Sequence, residues 1–554
     1  MELNLYDQDG PLEPRRYSSG KTQIDLIEEI LDAFDGDDIV FFRGTVGSGK
    51  SVIGIRTILE LGRGVVSVPT KVLSDQYAAS YERDKYFVKK DGSRGKIGIL
   101  KGRRNFRCMF SAEKGRESSC ASSTLPCTRP LDKEAEERRV DAVRQCPHWG
   151  FIFHSGWASS IKDAVKLPYE GIAGKWIWCK KGECPYWKQF QAYVSSDAMV
   201  MNSMKWAAEV CVGRLPRVPV TVIDEADEWL DSLAVKVLLT QKKIDWARGK
   251  IEQDEELGEK LSEMWAGTLD GKKDPLEMAG FLTEVLEEID ETSGDLYWKL
   301  KSLLEHRTHA EWEVKEKTVI YFVPDPKIVL KRLLDKVGGK WLLMSATCQS
   351  SEVLENVFGI TPALVEGETK FPGQLIQRRL GPENVVNYRR WSEEKFKREY
   401  WNLLARMMRR AKRPGFVPIH AFKYLPQKLR DKITMEGAEI YEHQKLIFTT
   451  KMDRGADLKG MKSIIITKFP YPEREDPLLK GMERRLGQEA FWGYYRDMAE
   501  RSFVQQVGRV LRSDEDVVEF WSPDGACHAG LKWLWKGRMI EKLGKVNLDV
   551  SPQG

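Results

Sequence analysis

The run Gly44-Thr45-Val46-Gly47-Ser48-Gly49-Lys50-Ser51 has the residue types and spacing of a phosphate cradle. Gly44, Gly47 and Gly49 let backbone N–H groups turn towards phosphate oxygens, with Thr45 and Ser48 between them. Lys50 would reach the β- and γ-phosphates of a nucleotide, and Ser51 would hold Mg²⁺. Far downstream stand two adjacent acids, in Asp224-Glu225-Ala226-Asp227. Asp224 would hold Mg²⁺ through its water shell, and Glu225 would orient an attacking water. A third set is Gln506, Arg509 and Arg512, spaced i, i+3, i+6 so that one helix face would carry them. Arg509 and Arg512 can neutralise charge on a γ-phosphate from across a cleft.

The elements around these residues are those the chemistry needs. Ile39-Val40-Phe41-Phe42 predicts a strand before the cradle, and Val52 to Leu61 an amphipathic helix after it. Pro219-Val220-Thr221-Val222-Ile223 predicts a buried strand ending at the acidic pair. Further apolar runs, Gly64 to Thr70, Lys96 to Leu100, Ala198 to Ser203, Thr318 to Phe322 and Trp341 to Thr347, predict neighbouring strands. In the second half, Gly415 to Phe422, Leu446 to Thr450 and Ser463 to Thr467 predict parallel strands. Gly455 and Asp457, in Asp453-Arg454-Gly455-Ala456-Asp457, lie just past a strand end and face the same chemistry. Near the start, Arg16-Tyr17 and Gln23 could hold an adenine by stacking and by its Watson–Crick edge, or simply start a helix. Lys101-Gly102-Arg103-Arg104-Asn105-Phe106-Arg107 sets four cations and an aromatic around a turn, a nucleic-acid contact or a solvated loop.

Six of the nine cysteines, Cys108, Cys120, Cys127, Cys146, Cys179 and Cys184, fall within the 77 residues from Cys108 to Cys184. The segment carries turn residues, cations and tryptophans with little steady periodicity, so it needs a staple. Only Cys179 and Cys184 approach a zinc-knuckle spacing, and widely spaced thiolates suit a four-cysteine iron–sulfur cluster at least as well. Unbound, reduced cysteines are the third reading. From Leu230 to Lys317, apolar residues at i, i+3, i+4 among charges (Leu282, Val285, Leu286, Ile289) predict a helical insertion.

At 554 residues the chain exceeds one core, and its 42% hydrophobic content is ample for several. A net charge of +5, from 88 basic and 83 acidic residues, leaves the question of a polyanionic partner to local patches. No apolar run reaches the ~20 residues that span a bilayer, so a soluble, intracellular, cytoplasmic protein is expected.

Taken in order, these pieces resemble a superfamily-two helicase: the cradle, the Asp224–Asp227 tetrad, Ser345-Ala346-Thr347 and the Gln-x-x-Arg-x-x-Arg helix. Lys101 to Cys108, Cys184-Pro185-Tyr186-Trp187, and Phe469-Pro470-Tyr471-Pro472 with Asp476-Pro477 narrow the resemblance to XPD/DinG-type iron–sulfur DNA helicases. Two features depart from that pattern: Asp227 where the family has His, and Asp453-Arg454 ahead of Gly455 where it often has Glu.

The resemblance implies an α/β fold of two RecA-like lobes. The first lobe would occupy 1–107, 191–230 and 318–350, interrupted by an iron–sulfur domain at 108–190 and a helical arch at 231–317. The second would occupy 351–554. It further implies ATP, Mg²⁺ and a [4Fe–4S] cluster, and 5′→3′ movement on single-stranded and forked DNA by a monomer. The cluster ligands implied are Cys108, Cys127, Cys146 and Cys184, with Cys179 and Cys120 as substitutes. A DEAD-box-like RNA helicase and a nucleic-acid-binding scaffold with a vestigial ATPase are the alternatives.

Overall fold

A computed structural model describes residues 1–45, 47–120, 122, 125, 127, 146–148, 150–159, 164–180, 182–251, 254–288, 295–368, 372–436, 440–449, 458 and 460–535. Gly455 and Asp457 lie outside the described residues, as does Ile289.

The first lobe is built on a seven-stranded, all-parallel sheet. Its order is Ala363–Glu366, Ile39–Arg43, Lys340–Ser345, Val220–Asp224, Gly64–Val68, Ala198–Asn202, Ile97–Leu100. Strands covered on both faces read as continuous apolar runs, which is why these segments are so legible. Phe41, Val65, Met199, Ile223 and Leu343 pack to one side, and Val40, Phe42, Val66, Val200, Val222 and Leu342 to the other. In such sheets ligands bind beyond the carboxyl ends of the strands, where Arg43, Asp224 and Ser345 fall together.

The second lobe has six strands: Gln374–Gln377, Val517–Trp521, Ser463–Ile465, Gly415–Pro418, Leu446–Thr449 and Ile440–His443. All neighbours pair in parallel except the last pair.

Three expectations are corrected. The first lobe does not stop at 350: Ala363–Glu366 pairs with Ile39–Arg43, so the chain to residue 366 still builds the first sheet. Thr318–Phe322 is not a strand of that sheet. It pairs antiparallel with Lys236–Thr240 and Glu311–Lys315, giving the helical insertion a small sheet of its own. The outer strands of this trio are half-exposed and alternate, which the helical periodicity of the intervening segment obscures. The cysteine-rich segment also holds a regular sheet, with Trp176–Lys180 between Phe151–His154 and Ala164–Glu170. Among the described residues no helix is long and apolar enough to cross a membrane.

Candidate active site

The cradle runs from the end of Ile39–Arg43 to the helix Lys50–Glu60. Gly47 and Gly49 have φ of 79° and 84°, the left-handed region that glycine enters without steric cost. A Cβ on Gly49 would meet the Gln23 Nε2 at 2.5 Å, and one on Gly44 would meet the Ser48 Oγ at 2.7 Å. The loop is braced from below. The Tyr17 hydroxyl donates to the Ser48 carbonyl (2.7 Å), and Arg15 donates to the Gly47 carbonyl. Gln23 is buried under Gly49, its Oε1 accepting from the Arg15 N–H (3.0 Å), so Tyr17 and Gln23 both support the loop. The Lys50 ammonium donates to the Gly44 carbonyl (3.1 Å). The buried Ser48 Oγ has no hydrogen-bond partner among the described residues.

Asp224 ends its strand buried. Its Oδ2 accepts from the Tyr77 hydroxyl (3.0 Å) and its Oδ1 from the Glu225 N–H (3.0 Å). Burial, then the neighbouring Glu225, push this carboxyl up to about 6, while Lys50 pulls it down. A buried carboxylate on which Lys50 acts and the hydroxyl of Ser51, next to Lys50 in the chain, are the hard oxygen donors that Mg²⁺ takes, and they fit that ion. Glu225 turns the chain from strand to helix with φ 54°, a strain of about 1–3 kcal/mol for a side-chain-bearing residue.

Asp227 is the junction of the molecule. Its carboxylate accepts from Ser345 Oγ (2.6 Å), Thr347 Oγ1 (2.6 Å) and Gln505 Nε2 (2.7 Å), the last from the second lobe. One turn on, Asp231 takes a bidentate pair from Arg501 at 2.8 and 3.0 Å. Arg501 Nε also donates to Asp497 at 2.7 Å, and Asp497 accepts from the Ser350 N–H. These acids hold the Arg501 guanidinium protonated despite its burial.

Sequence reasoning missed this network. Its signal is the polar stripe Tyr494, Asp497, Arg501, Gln505 at helical spacing along Gln488–Gly508. The residues that were singled out sit differently from expectation. The helix ends at Gly508, so Gln506, Arg509 and Arg512 do not share one helix face. Gln506 donates to Ser502 (3.3 Å), and Arg509 caps the helix. Arg512 lies in the following turn, where its N–H meets Asp516 and its Nε the Arg509 carbonyl.

In the cysteine segment, Cys108, Cys120, Cys127, Cys146 and Cys184 act electrostatically on one another. The Cys120 thiol donates to the Cys184 sulfur, and with the Tyr186 and Trp187 N–H groups this pulls Cys184 down to about 6. Arg103 reaches the Cys127 sulfur at 3.8 Å. Cys179 lies in the sheet, with Leu167, Trp187 and Phe190 around it. Five gathered thiols with amide and guanidinium donors have the chemistry of a thiolate-ligated cluster site. Among the described residues, however, no three Cys, His, Asp or Glu side chains close into a metal-holding group.

Residues 402–524 match the helicase C-terminal domain family. No curated protein sequence matches the chain. Among solved structures, an XPD helicase superposes with a TM-score of 0.60 at 16% identity, covering 92% of this chain and 98% of that one. An apo XPD structure gives 0.56 at 14% identity, covering 95% and 99%. Xpd4 from S. tokodaii gives 0.55 at 13%, covering 94% and 99%. The chain therefore has the fold of the XPD helicases, two RecA-like lobes with both insertions in the first.

Proposed function

We propose that the chain is an ATP-dependent DNA helicase that moves 5′→3′ on single-stranded DNA and parts forked duplex. The observation that carries this reading is the Asp227 junction. There the Asp227 carboxylate, on the helix that follows the acidic strand end, takes the Ser345 and Thr347 hydroxyls and Gln505 of the second lobe. A change at the nucleotide is thereby coupled to a change between the lobes.

In this reading Lys50 binds the β- and γ-phosphates, Glu225 orients water, and Arg509 and Arg512 neutralise charge from the second lobe, with Gln506 assisting them and Gly455 and Asp457 contributing to nucleotide binding. Ser51 and Asp224 would hold Mg²⁺, which when bound offsets phosphate charge. Four of the five gathered cysteines would hold a [4Fe–4S] cluster, which when bound staples the insertion. Iron and acid-labile sulfide near four each per chain, after anaerobic purification, are expected. Iron-free protein, or zinc, would remove the cluster from the proposal.

The DNA path is supported by three adjacent strand ends. They bring Thr70-Lys71, Asn202-Ser203 and Lys101–Arg104 to one edge of the sheet. Lys101 pairs with Asp75, Arg103 lies over Tyr186 and Trp187, and Arg107 pairs with Glu117. Arg104 is exposed on the same loop, and Val72 and Met204 are exposed apolar contacts nearby. Six cysteines clustered between Cys108 and Cys184 of a large chain suit metal binding in a reducing, intracellular compartment; we take the working form to be a monomer. Strand displacement on forks with a 5′ or a 3′ tail, in DNA and in RNA, tests the reading. Unwinding of 5′-tailed DNA forks is expected. RNA preference would favour the DEAD-box-like alternative, and no unwinding with no hydrolysis the scaffold.

A further inference from the structure

Two tyrosines stand one turn apart where the helix Lys71–Ala78 widens into the π turn Ala79–Asp84. The widening is marked by the Lys85 N–H donating five residues back to the Ser80 carbonyl at 2.9 Å. Tyr77 and Tyr81 are both buried, their rings 5.9 Å apart, and Tyr81 stacks on Phe87 at 5.7 Å. The Tyr77 hydroxyl donates to Asp224 Oδ2 at 3.0 Å, and the Tyr81 hydroxyl lies 2.8 Å from Ser51 Oγ.

Buried phenols must find partners, so one such bond would mean little. Here two hydroxyls from one turn take two oxygens from separate segments, the strand end and the cradle. Those are the two protein oxygens that the phosphate-loop chemistry assigns to Mg²⁺. A serine that offers a lone pair to a cation needs an acceptor for its own proton, and the Tyr81 oxygen supplies one. Asp224 is gripped at both oxygens, by Tyr77 and by the Glu225 N–H, which fixes its rotamer.

We propose that Tyr77 and Tyr81 are positioning residues that align Asp224 and Ser51 for the magnesium of a bound nucleotide. The inference rests on the nucleotide reading above, with one addition: the two hydroxyls set how much Mg²⁺ the site needs. Outer partners of metal ligands typically change metal affinity by about 10–100-fold when removed.

The test is binding of methylanthraniloyl-ATP to the full chain, followed by fluorescence as Mg²⁺ is titrated, with a parallel arm in EDTA. Tyr81→Phe is expected to need about 10-fold more Mg²⁺ for half-saturation, with its metal-free affinity unchanged. Tyr77→Phe should shift in the same direction, and it decides the matter if the first variant fails to fold. Mg²⁺ titrations indistinguishable from wild type, or an equal loss in the EDTA arm, would overturn the assignment and leave the tyrosines as packing. Absence of any Mg²⁺-dependent binding by the wild type would instead strike the nucleotide reading itself.

Discussion

Arg501, with 3% of its side chain exposed, joins the lobes through Asp231, is held by Asp497 on its own helix, and lies 3.6 Å from Asp227. Arg484, 62% exposed, joins them through Glu311 on the small sheet of the helical insertion. Around Arg484 the pattern repeats: Lys236 meets Asp476, and Arg485 meets Asp325 at 3.3 Å, all on the helix Pro477–Leu486 or its cap. Gly481, set close against Phe322 and Pro324, adds an apolar contact to that crossing. The first crossing is a desolvated charge network at the carboxyl ends of the strands, and each member is expensive to remove. The second is a row of screened ion pairs that can slide or part at little cost. A motor needs both kinds of joint: one that registers the nucleotide, and one that lets the insertion follow or release the second lobe.

The sharpest way to break this contrast is Arg501→Met, which leaves Asp231 and Asp497 buried without their cation. It should cost about 3–5 kcal/mol in denaturant unfolding and abolish ATP hydrolysis. Gln505→Ala comes next. Asp227 keeps its two hydroxyl donors, so stability should fall by about 1–2 kcal/mol, while DNA stimulation of hydrolysis is lost with KM for ATP unchanged. Gly481→Leu should push the helix Pro477–Leu486 off Phe322, raising hydrogen exchange in residues 477–486 and leaving residues 494–508 protected. Arg484→Ala should cost less than about 1 kcal/mol. Raising salt to about 0.5 M, where the screening length falls to a few ångströms, should cancel even that difference. If Arg484→Ala proved costlier than Arg501→Met, the ranking of the two joints would be reversed.

Legibility in the sequence followed the physics of burial. Ile39–Arg43, Val220–Asp224 and Lys340–Ser345 are covered on both faces, so their residues are apolar throughout and their polar ends stand out. The cradle was legible because each residue answers a local demand on backbone or phosphate. The small sheet of Lys236–Thr240, Glu311–Lys315 and Thr318–Phe322 was not, because its strands are separated by about seventy residues of helix and the outer two are half-exposed. The role of Asp227 was hidden for another reason. A carboxylate shared by Ser345, Thr347 and Gln505 joins positions 118 to 278 residues apart, and no local pattern encodes such a meeting. The end of the last long helix at Gly508 was missed because the i, i+3, i+6 spacing of its arginines outruns the helix that was to carry it.

ATP hydrolysis by the purified chain, measured with and without single-stranded DNA beside Lys50→Ala, tests most directly whether the cradle drives the lobes. DNA-stimulated turnover in the wild type and background turnover in a variant with unchanged circular dichroism are predicted. Turnover by Lys50→Ala at the wild-type rate would contradict the assignment of this site.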